Sequence, residues 1–202
     1  ALRQIAGDTA RFGGWSVDLS NNICTWSDVV ADIHEVPRDY VPSVEEGINF
    51  YTPEWQEKIT QVFSACAKEG IPYDEDMEII TQKGKRVWVR TTGRAVRNKD
   101  GKTIKVQGSF QDITQSKRVE EELRKSENLF KKVFEILPIG LWIADKNGKL
   151  MQGNPAGVKI WGMEPKVGQS EYGVFKARRL PSREEIAPED WALAHTVNKG
   201  VT

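Results

Sequence analysis

Residues 112–137 read DITQSKRVEEELRKSENLFKKVFEIL, and the rest of the chain is arranged around this stretch. It contains neither glycine nor proline, and Pro138 closes it. Six positions, alternately four and three residues apart and polar only at Ser126, form a heptad seam: Val119, Leu123, Ser126, Phe130, Val133 and Leu137. The pattern predicts a helix of roughly 24 residues, about 36 Å long at ~1.5 Å per residue.

Such a helix is too long and too thinly apolar to be an ordinary core helix. We interpret residues 115–137 as a connector helix that pairs with its own copy in a homodimer, and its dimer seam is formed by Val119, Leu123, Phe130, Val133 and Leu137. Asp112 can cap the start of this helix, with the side chain of Gln115 reaching back. A solvated helix packed on its own domain is the alternative, because three to four heptads is near the lower limit for a coiled coil.

Composition and charge restrict the possible function classes. The chain has 202 residues, of which 39% are hydrophobic and 29% charged, so it suits one large or two small folded domains. Lysine plus arginine (29) balances aspartate plus glutamate (29), which gives no support to nucleic acid or an acidic membrane as the main partner. No apolar run approaches ~18 residues and no signal peptide is visible, so we expect a cytoplasmic protein without direct membrane contact.

The residue types that carry catalysis do not form a recognisable constellation. The two cysteines, Cys24 and Cys66, lie far apart in no metal-binding spacing, and we interpret them as reduced thiols. The sequence shows no glycine-rich phosphate loop and no nucleophile motif. We therefore expect no catalytic residues and no metal site.

The residues before the connector show the alternation of an antiparallel sheet interrupted by helices. The pattern predicts, in order, a short helix, two hairpin strands, an irregular segment, a longer helix and three strands: residues 2–9, 15–19, 23–26, 27–53, 53–70 and 73–112. The short first helix is expected to end at Gly13-Gly14, and Thr52 is expected to cap the longer one. Antiparallel hairpins with helices on one face predict an α+β domain.

The inward face of the middle large strand narrows to small residues, Thr91, Gly93 and Ala95. Small side chains there leave room between the sheet and the helices. This room is either a ligand cavity or space filled by Trp26 and Phe63, and we favour the filled core.

After Pro138 the pattern begins again, 127 residues later. The sequence Trp-Ser-Val-Asp at 15–18 has its echo in Trp-Ile-Ala-Asp at 142–145. A hairpin turn, a capped short helix and a longer helix follow, at Asn147-Gly148, Asn154 and Pro188–Val197. The counterparts of the three large strands are not reached by Thr202, so we interpret residues 138–202 as the N-terminal half of a second copy of the domain.

In combination, several motifs of the first copy resemble those of the PAS sensory domains of bacterial signalling proteins. They are Trp26-Ser27, Tyr73-Asp74, residues 83–90 (KGKRVWVR), residues 93–96 (GRAV) and Asp112-Ile113-Thr114. The last triplet resembles the point where PAS domains hand over to a signalling helix. The resemblance divides the chain into a PAS domain at 1–114, a connector helix at 115–137 and half of a second PAS domain at 138–202.

The resemblance implies a five-stranded antiparallel sheet with helices over one face, dimerisation, and control of a histidine kinase or a diguanylate cyclase further along the same protein. We interpret the chain as a non-enzymatic sensory region that detects a ligand or a partner and signals to a downstream kinase of a two-component system. Asp112 and Thr114 are expected to relay the signal into the connector helix. The alternatives are control of a cyclase and a purely structural dimerisation spacer.

Two histidines and the cysteines were the candidates for cofactor or phosphoryl chemistry. Ile33-His34-Glu35 superficially resembles the start of a kinase phosphoacceptor, but it lies in the irregular segment. Haem-binding PAS domains take their iron ligand from the helix on which His195 falls, and flavin-binding ones use a cysteine motif that neither Cys24 nor Cys66 matches. We therefore expect no cofactor and a colourless protein.

Three arginines, Arg86, Arg90 and Arg94, fall beside Trp88 on the outward face of the middle large strand. We expect this face to be solvated or covered by a helix, and contact with a second protomer is the alternative.

Overall fold

The computed structural model describes residues 11–162 and 176–200. The short helix expected over residues 2–9 lies outside these residues. The chain divides into two compact units, Ala1–Glu121 and Glu122–Thr202, and each is described by itself. Within the described ranges, no helix combines the length and apolar character needed to cross a bilayer.

The first unit is built on one antiparallel sheet of five strands in the order β2-β1-β5-β4-β3. The strands are β1 (Phe12–Asp18), β2 (Ile23–Trp26), β3 (Tyr73–Ile80), β4 (Arg86–Arg97) and β5 (Thr103–Asp112). Strand β4 buries alternate residues, and the buried residues of β3 and β5 are also separated by even numbers of positions, as the period of two predicts. The expected five-stranded α+β fold is confirmed.

Three helices pack on the buried face of this sheet: α1 (Asp28–His34), α2 (Val44–Asn49) and α3 (Pro53–Glu69). Helix α3 begins and ends where the sequence predicts, after Thr52 and at Gly70, whose φ of 81° suits glycine. The core between sheet and helices contains Val30, Ile33, Tyr51, Ile59, Met77, Ile79, Val87, Val89 and Phe110.

The prediction that Gly13-Gly14 ends a helix is wrong, because both glycines lie within β1. A side chain at Gly13 would collide with the hydroxyl of Ser27 and with Val30 at the start of α1. The glycine therefore permits a close approach between strand and helix.

The connector forms helix α4 (Thr114–Ile136) and, as predicted, contains no break. Its start differs from the predicted capping box. The carboxylate of Asp112 accepts a hydrogen bond from the Thr114 N–H at 2.9 Å, whereas Gln115 is exposed. An aspartate that binds the N–H two residues later forms an Asx turn, which leads the chain from strand into helix.

The second unit contains a two-stranded antiparallel hairpin, β6 (Trp142–Ala144) and β7 (Leu150–Gly153), followed by α5 (Pro155–Trp161) and α6 (Ala192–Lys199). The continuous helix predicted over Pro188–Val197 is wrong. A 3-10 turn at Pro188–Asp190 precedes α6, and the extended backbone of Trp191 separates the two. At this interruption the Trp191 ring packs 5.4 Å from that of Trp161.

Equivalent hydrogen bonds occur in the two units at the spacing of the sequence repeat. In the first unit the Gly14 N–H donates to the Ser27 hydroxyl, and the Ser27 N–H donates to the Gly14 carbonyl. In the second unit Leu141 and Asn154, each 127 residues later, make the same two bonds. The helix start therefore closes onto the first strand in the same way in both units.

Candidate functional site: the junction between sheet and connector helix

Asp112 lies at the end of β5 and joins three parts of the first unit. Its Oδ2 is 2.9 Å from the guanidinium of Arg11, and its backbone N–H donates to the Arg11 carbonyl at 3.2 Å. The carboxylate is only 9% exposed, so it is screened from solvent more than an ordinary surface ion pair. Its second oxygen holds the Thr114 N–H, so the same side chain binds the entry to β1 and the entry to α4.

Thr114, the first residue of α4, is attached to the neighbouring strand β4. Its hydroxyl oxygen accepts a hydrogen bond from the Trp88 N–H at 3.0 Å. The Ile113 N–H donates to the Trp88 carbonyl at 2.9 Å. The ladder between β4 and β5 thus continues into the first turn of the helix, with a side chain in place of a backbone acceptor.

Lys117, three residues further along α4, is a residue of this junction that the sequence did not indicate. Its ammonium lies 2.8 Å from Asp76 of β3 and 5.5 Å from the centroid of the Trp88 ring. The hydrogen bond that Lys117 donates to the Asp76 carboxylate raises the pKa of Lys117 above its usual value. The sequence signal was a strand with alternate acidic residues and a lysine soon after the Asp-Ile-Thr triplet, but their proximity depends on the fold.

The predicted dimer seam of α4 is open to solvent within this chain. Leu123 is 58% and Phe130 60% exposed, and Val119 and Val133 are also exposed. Leu137 is half-buried, and Ser126 is exposed. Phe134, which the heptad pattern left outside the seam, is buried and stacks on Phe130 at 5.8 Å. Large apolar side chains exposed along one helix are typical of an interaction face.

A cavity of about 60 Å³ lies between the sheet and helices α1 to α3. Trp26 and Phe63, the side chains expected to fill this space, are among the residues that line it. The ring of Tyr73 covers Gly93 and occupies the place a side chain would take there. The polar part of the cavity wall includes His34 and Thr91. The remaining volume suits a few water molecules or a very small ligand.

His34 is part of this wall and is 1% exposed, which excludes it as a phosphoacceptor. Its ring stacks between Trp26 at 4.1 Å and Phe110 at 4.9 Å. Its Nδ1 lies 2.8 Å from the Val30 carbonyl, which assigns the proton of the neutral ring to Nδ1. Burial lowers the pKa of His34 to about 4, against the opposing effect of the Val30 hydrogen bond.

Comparison with known families agrees with the sheet topology and with the repeat. A family model described as PAS fold matches residues 23–110, and a second, described as PAS domain, matches residues 128–195. Together they cover more than three quarters of the chain. The chain belongs to the PAS family. PAS domains are sensory, non-catalytic modules, so the chain is a sensory region of a signalling protein.

Two known proteins illustrate the range of relatives that share sequence with this chain. Sensor protein FixL of Bradyrhizobium diazoefficiens is 21% identical over 150 residues, covering 74% of this chain and 30% of that protein. Probable diguanylate cyclase DgcE of Escherichia coli is 22% identical over 166 residues, covering 81% of this chain and 15% of that protein. The chain thus spans less than a third of either relative.

A solved structure shows the PAS fold directly. The sensory box histidine kinase/response regulator from Burkholderia thailandensis aligns with a TM-score of 0.51 at 22% identity. The alignment covers 65% of this chain and 99% of that one.

The other side chains considered for chemistry are one histidine of the second unit and the two cysteines of the first. His195 has a 45% exposed side chain, 3.7 Å from Asp190. Burial raises the pKa of the Cys24 thiol to about 11 and raises that of Cys66, so both favour the unreactive protonated form. In the part of the chain that the structure describes, no group of His, Cys, Asp and Glu side chains could hold a metal ion.

The arginines on the outward face of the first PAS domain are mostly paired within the sheet. Arg90 makes two 2.6 Å bonds to Asp74, and Arg86 lies 2.7 Å from Glu78. Arg94 lines a shallow groove on the same face. The expectation of a solvated face fits these exposed pairs, and the alternative of a protomer contact stays open at Arg94.

The buried histidine predicts a pH dependence of stability. The folded pKa of His34, about 4, is below its ordinary value of 6.5. The stability that comes from holding the ring neutral is therefore complete above about pH 6.5, and it is lost as the pH falls towards 4. Between pH 7 and pH 5 we expect a loss of about 2 kcal/mol in the free energy of unfolding of this domain.

Urea titrations followed by near-UV circular dichroism would measure this loss. His34→Gln should flatten the dependence between pH 7 and 5, and His195→Gln, which removes an exposed histidine, should leave it unchanged. An equal slope in the wild-type protein and in His34→Gln would contradict the assignment.

Proposed function

We propose that this chain is the sensory region of a longer, cytoplasmic two-component protein. In this proposal the first PAS domain transmits its state through α4 to a histidine kinase further along the same chain. The relatives of this chain support both candidate outputs. A histidine kinase shares the fold, and a probable diguanylate cyclase shares sequence, so control of a cyclase is the second candidate.

One observation carries the proposal: the residues at the start of the connector helix are bonded directly to strands of the sheet. The carboxylate of Asp112 and the hydroxyl of Thr114 bind Arg11 and Trp88, which belong to the entry of β1 and to β4. A shift between strands β4 and β5 therefore changes the geometry of the first helical turn. We propose Asp112 and Thr114 as the signal relay on this basis.

The relay requires two states of the first PAS domain that differ by only a few kcal/mol. A small ligand in the cavity, or a partner protein, would favour one state through differential contacts. The cavity of about 60 Å³ limits an internal ligand to very few non-hydrogen atoms unless the walls move.

We also propose that α4 pairs with its own copy along Val119, Leu123, Phe130, Val133 and Leu137. Pairing would cover the exposed apolar side chains and would bring two relays together in one dimer. The domain division proposed from the sequence stays part of this account, with residues 138–202 as the N-terminal half of a second PAS domain. A dimerisation spacer without a signal of its own would share the pairing but not the relay.

Removal of the Thr114 hydroxyl tests the relay. Thr114→Val deprives the half-buried Trp88 N–H of its acceptor, and a lost hydrogen bond of about 1 kcal/mol shifts a two-state equilibrium roughly fivefold. With the 202 residues placed ahead of a histidine-kinase catalytic region, autophosphorylation should change by about that factor. Ser116→Ala, which removes an exposed hydroxyl in the same turn, should leave it unchanged. Equal output from both variants would favour the spacer.

A further inference from the structure

Trp88 lies where the first turns of two helices meet the sheet. Its neighbours Val87 and Val89 are buried inward, so its own ring is directed to the outward face of β4. The ring of Trp55, from the first turn of α3, meets the Trp88 ring edge to face, with centroids 6.1 Å apart and planes at 72°. The ammonium of Lys117, from the first turn of α4, lies 5.5 Å from the Trp88 ring centroid.

Two carboxylates of β3 hold the cations beside this ring pair. Asp76 binds the Lys117 ammonium at 2.8 Å, and Glu75 binds the ammonium of Lys58, which lies 5.6 Å from the Trp55 ring centroid. The order of contacts is therefore lysine, tryptophan, tryptophan, lysine. Each ammonium group is held by a carboxylate, so a displacement of α3 or α4 changes the contacts made by this ring pair.

Trp55 packs against the core and shares a face of α3 with two residues that line the cavity. Trp55, Ile59 and Phe63 follow one another at intervals of four residues, which places them along one face of the helix. Ile59 and Phe63 line the cavity, and Ile59 is buried in the core. A change in the cavity that displaces this face of α3 therefore displaces Trp55 as well.

We propose that Trp55, Trp88 and Lys117 are positioning residues that couple α3 to the first turn of α4, independently of strand β5. Trp55 itself has no hydrogen bond, ion pair or ring contact with α4 among the described residues, so the coupling passes through Trp88. The functional meaning of this route rests on the proposed role of α4 as the output element. The coupling itself is a property of the first PAS domain and can be measured without any output.

Amide hydrogen exchange of the 202-residue chain, followed residue by residue by NMR, tests the coupling. Trp55→Leu should speed exchange of the Lys117 and Trp88 amides, which are bound to the Ile113 carbonyl and the Thr114 hydroxyl, by about fivefold. The amide of Val106, in the centre of β5, should keep its rate. Unchanged exchange at Lys117 and Trp88 would overturn the proposal.

The coupling must also act in the opposite direction, because linkage is reciprocal. Lys117→Met should speed exchange of the Trp55 and Gln56 amides, which bind the Thr52 carbonyl at the start of α3, whereas Lys117→Arg should not. Lys131→Met, the same substitution on an exposed part of α4, is the matched control. If Trp55→Leu also speeds exchange of the Val106 amide, the result with Lys117→Met decides whether the two helices are coupled. Lys117 is a half-buried surface residue that does not support the core, so its substitution should not loosen the whole domain.

The double variant separates a shared route from two independent effects. If the three residues act together, Trp55→Leu adds little exchange at the Trp88 amide once Lys117→Met is present. Rate changes that multiply would overturn the proposal. An intact coupling combined with an unchanged kinase output in the Thr114→Val experiment would reject the proposed function and leave this inference standing.

Discussion

Replacing Leu123 and Phe130 by aspartate should convert the proposed dimer into a monomer while the first PAS domain stays folded. Both side chains are exposed within one chain and lie on the predicted seam. Two substitutions in each of two chains remove four large apolar side chains from the interface. Each of them contributes about 1.5 kcal/mol or more when fully buried. The substitution also brings like charges together, so the dissociation constant should rise by at least about 10⁴-fold. Analytical ultracentrifugation across a range of concentrations would measure the change.

The matched control changes the same helix away from the seam. Asn128→Asp combined with Lys131→Asp introduces two aspartates at exposed positions outside the heptad pattern and should leave the dimer intact. Because Phe130 also stacks on the buried Phe134, Leu123→Asp alone should be measured as well. If Leu123→Asp and the seam double variant both sediment like the wild-type protein, α4 does not form the dimer interface.

Gly108→Ala should destabilise the first PAS domain by about 3 kcal/mol. Gly108 of β5 lies opposite the Thr92-Gly93 peptide of β4, and a Cβ at this position would overlap the Thr92 carbonyl. Beside this close approach the Ser109 N–H donates to the Thr92 hydroxyl at 3.0 Å. Backbone cannot move aside as the end of a flexible side chain can, so β4 and β5 must separate locally. Thermal unfolding should show a midpoint lower by roughly 12 °C.

A glycine on the adjacent strand provides the control for Gly108. In Gly14→Ala the added Cβ would meet its nearest neighbour, the Gly108 carbonyl oxygen, only at 3.8 Å, which is ordinary van der Waals contact. This variant should unfold within about 2 °C of the wild-type protein, since alanine also reduces the entropy of the unfolded chain. Similar midpoints for Gly14→Ala and Gly108→Ala would show that the close approach of β4 and β5 is not tightly constrained.

The local sequence determined most of the elements, because their signals lie within a few residues of one another. Period-two alternation located the three large strands, and Thr52-Pro53 and Gly70 set the limits of α3. The heptad pattern predicted α4, and the 127-residue repeat predicted the second hairpin and the cap at Asn154. These features need no distant partner to be recognised.

The candidate site was predicted only in part. Resemblance to PAS domains singled out Asp112 and Thr114, and the structure brings both to the junction between β5 and α4. It could not supply their partners, Arg11 and Trp88, which lie 101 and 26 residues away in the chain. Nor could the sequence show that Lys117 would reach Asp76, because that ion pair exists only when β3 and α4 are placed on the same sheet.

Tertiary contacts decided the features for which local propensity was misleading. The pair Gly13-Gly14, which the sequence predicts to end a helix, lies within strand β1 and close to Ser27 and Val30. The helix expected across Trp191 is interrupted at that residue, where the Trp191 ring packs on Trp161. The ring of Tyr73, on the neighbouring strand β3, fills the space over Gly93. In each case the atoms that make the contact belong to a residue 13 or more positions away in the chain. Packing between such side chains is set by the assembled sheet and helices and not by the order of residues along the chain.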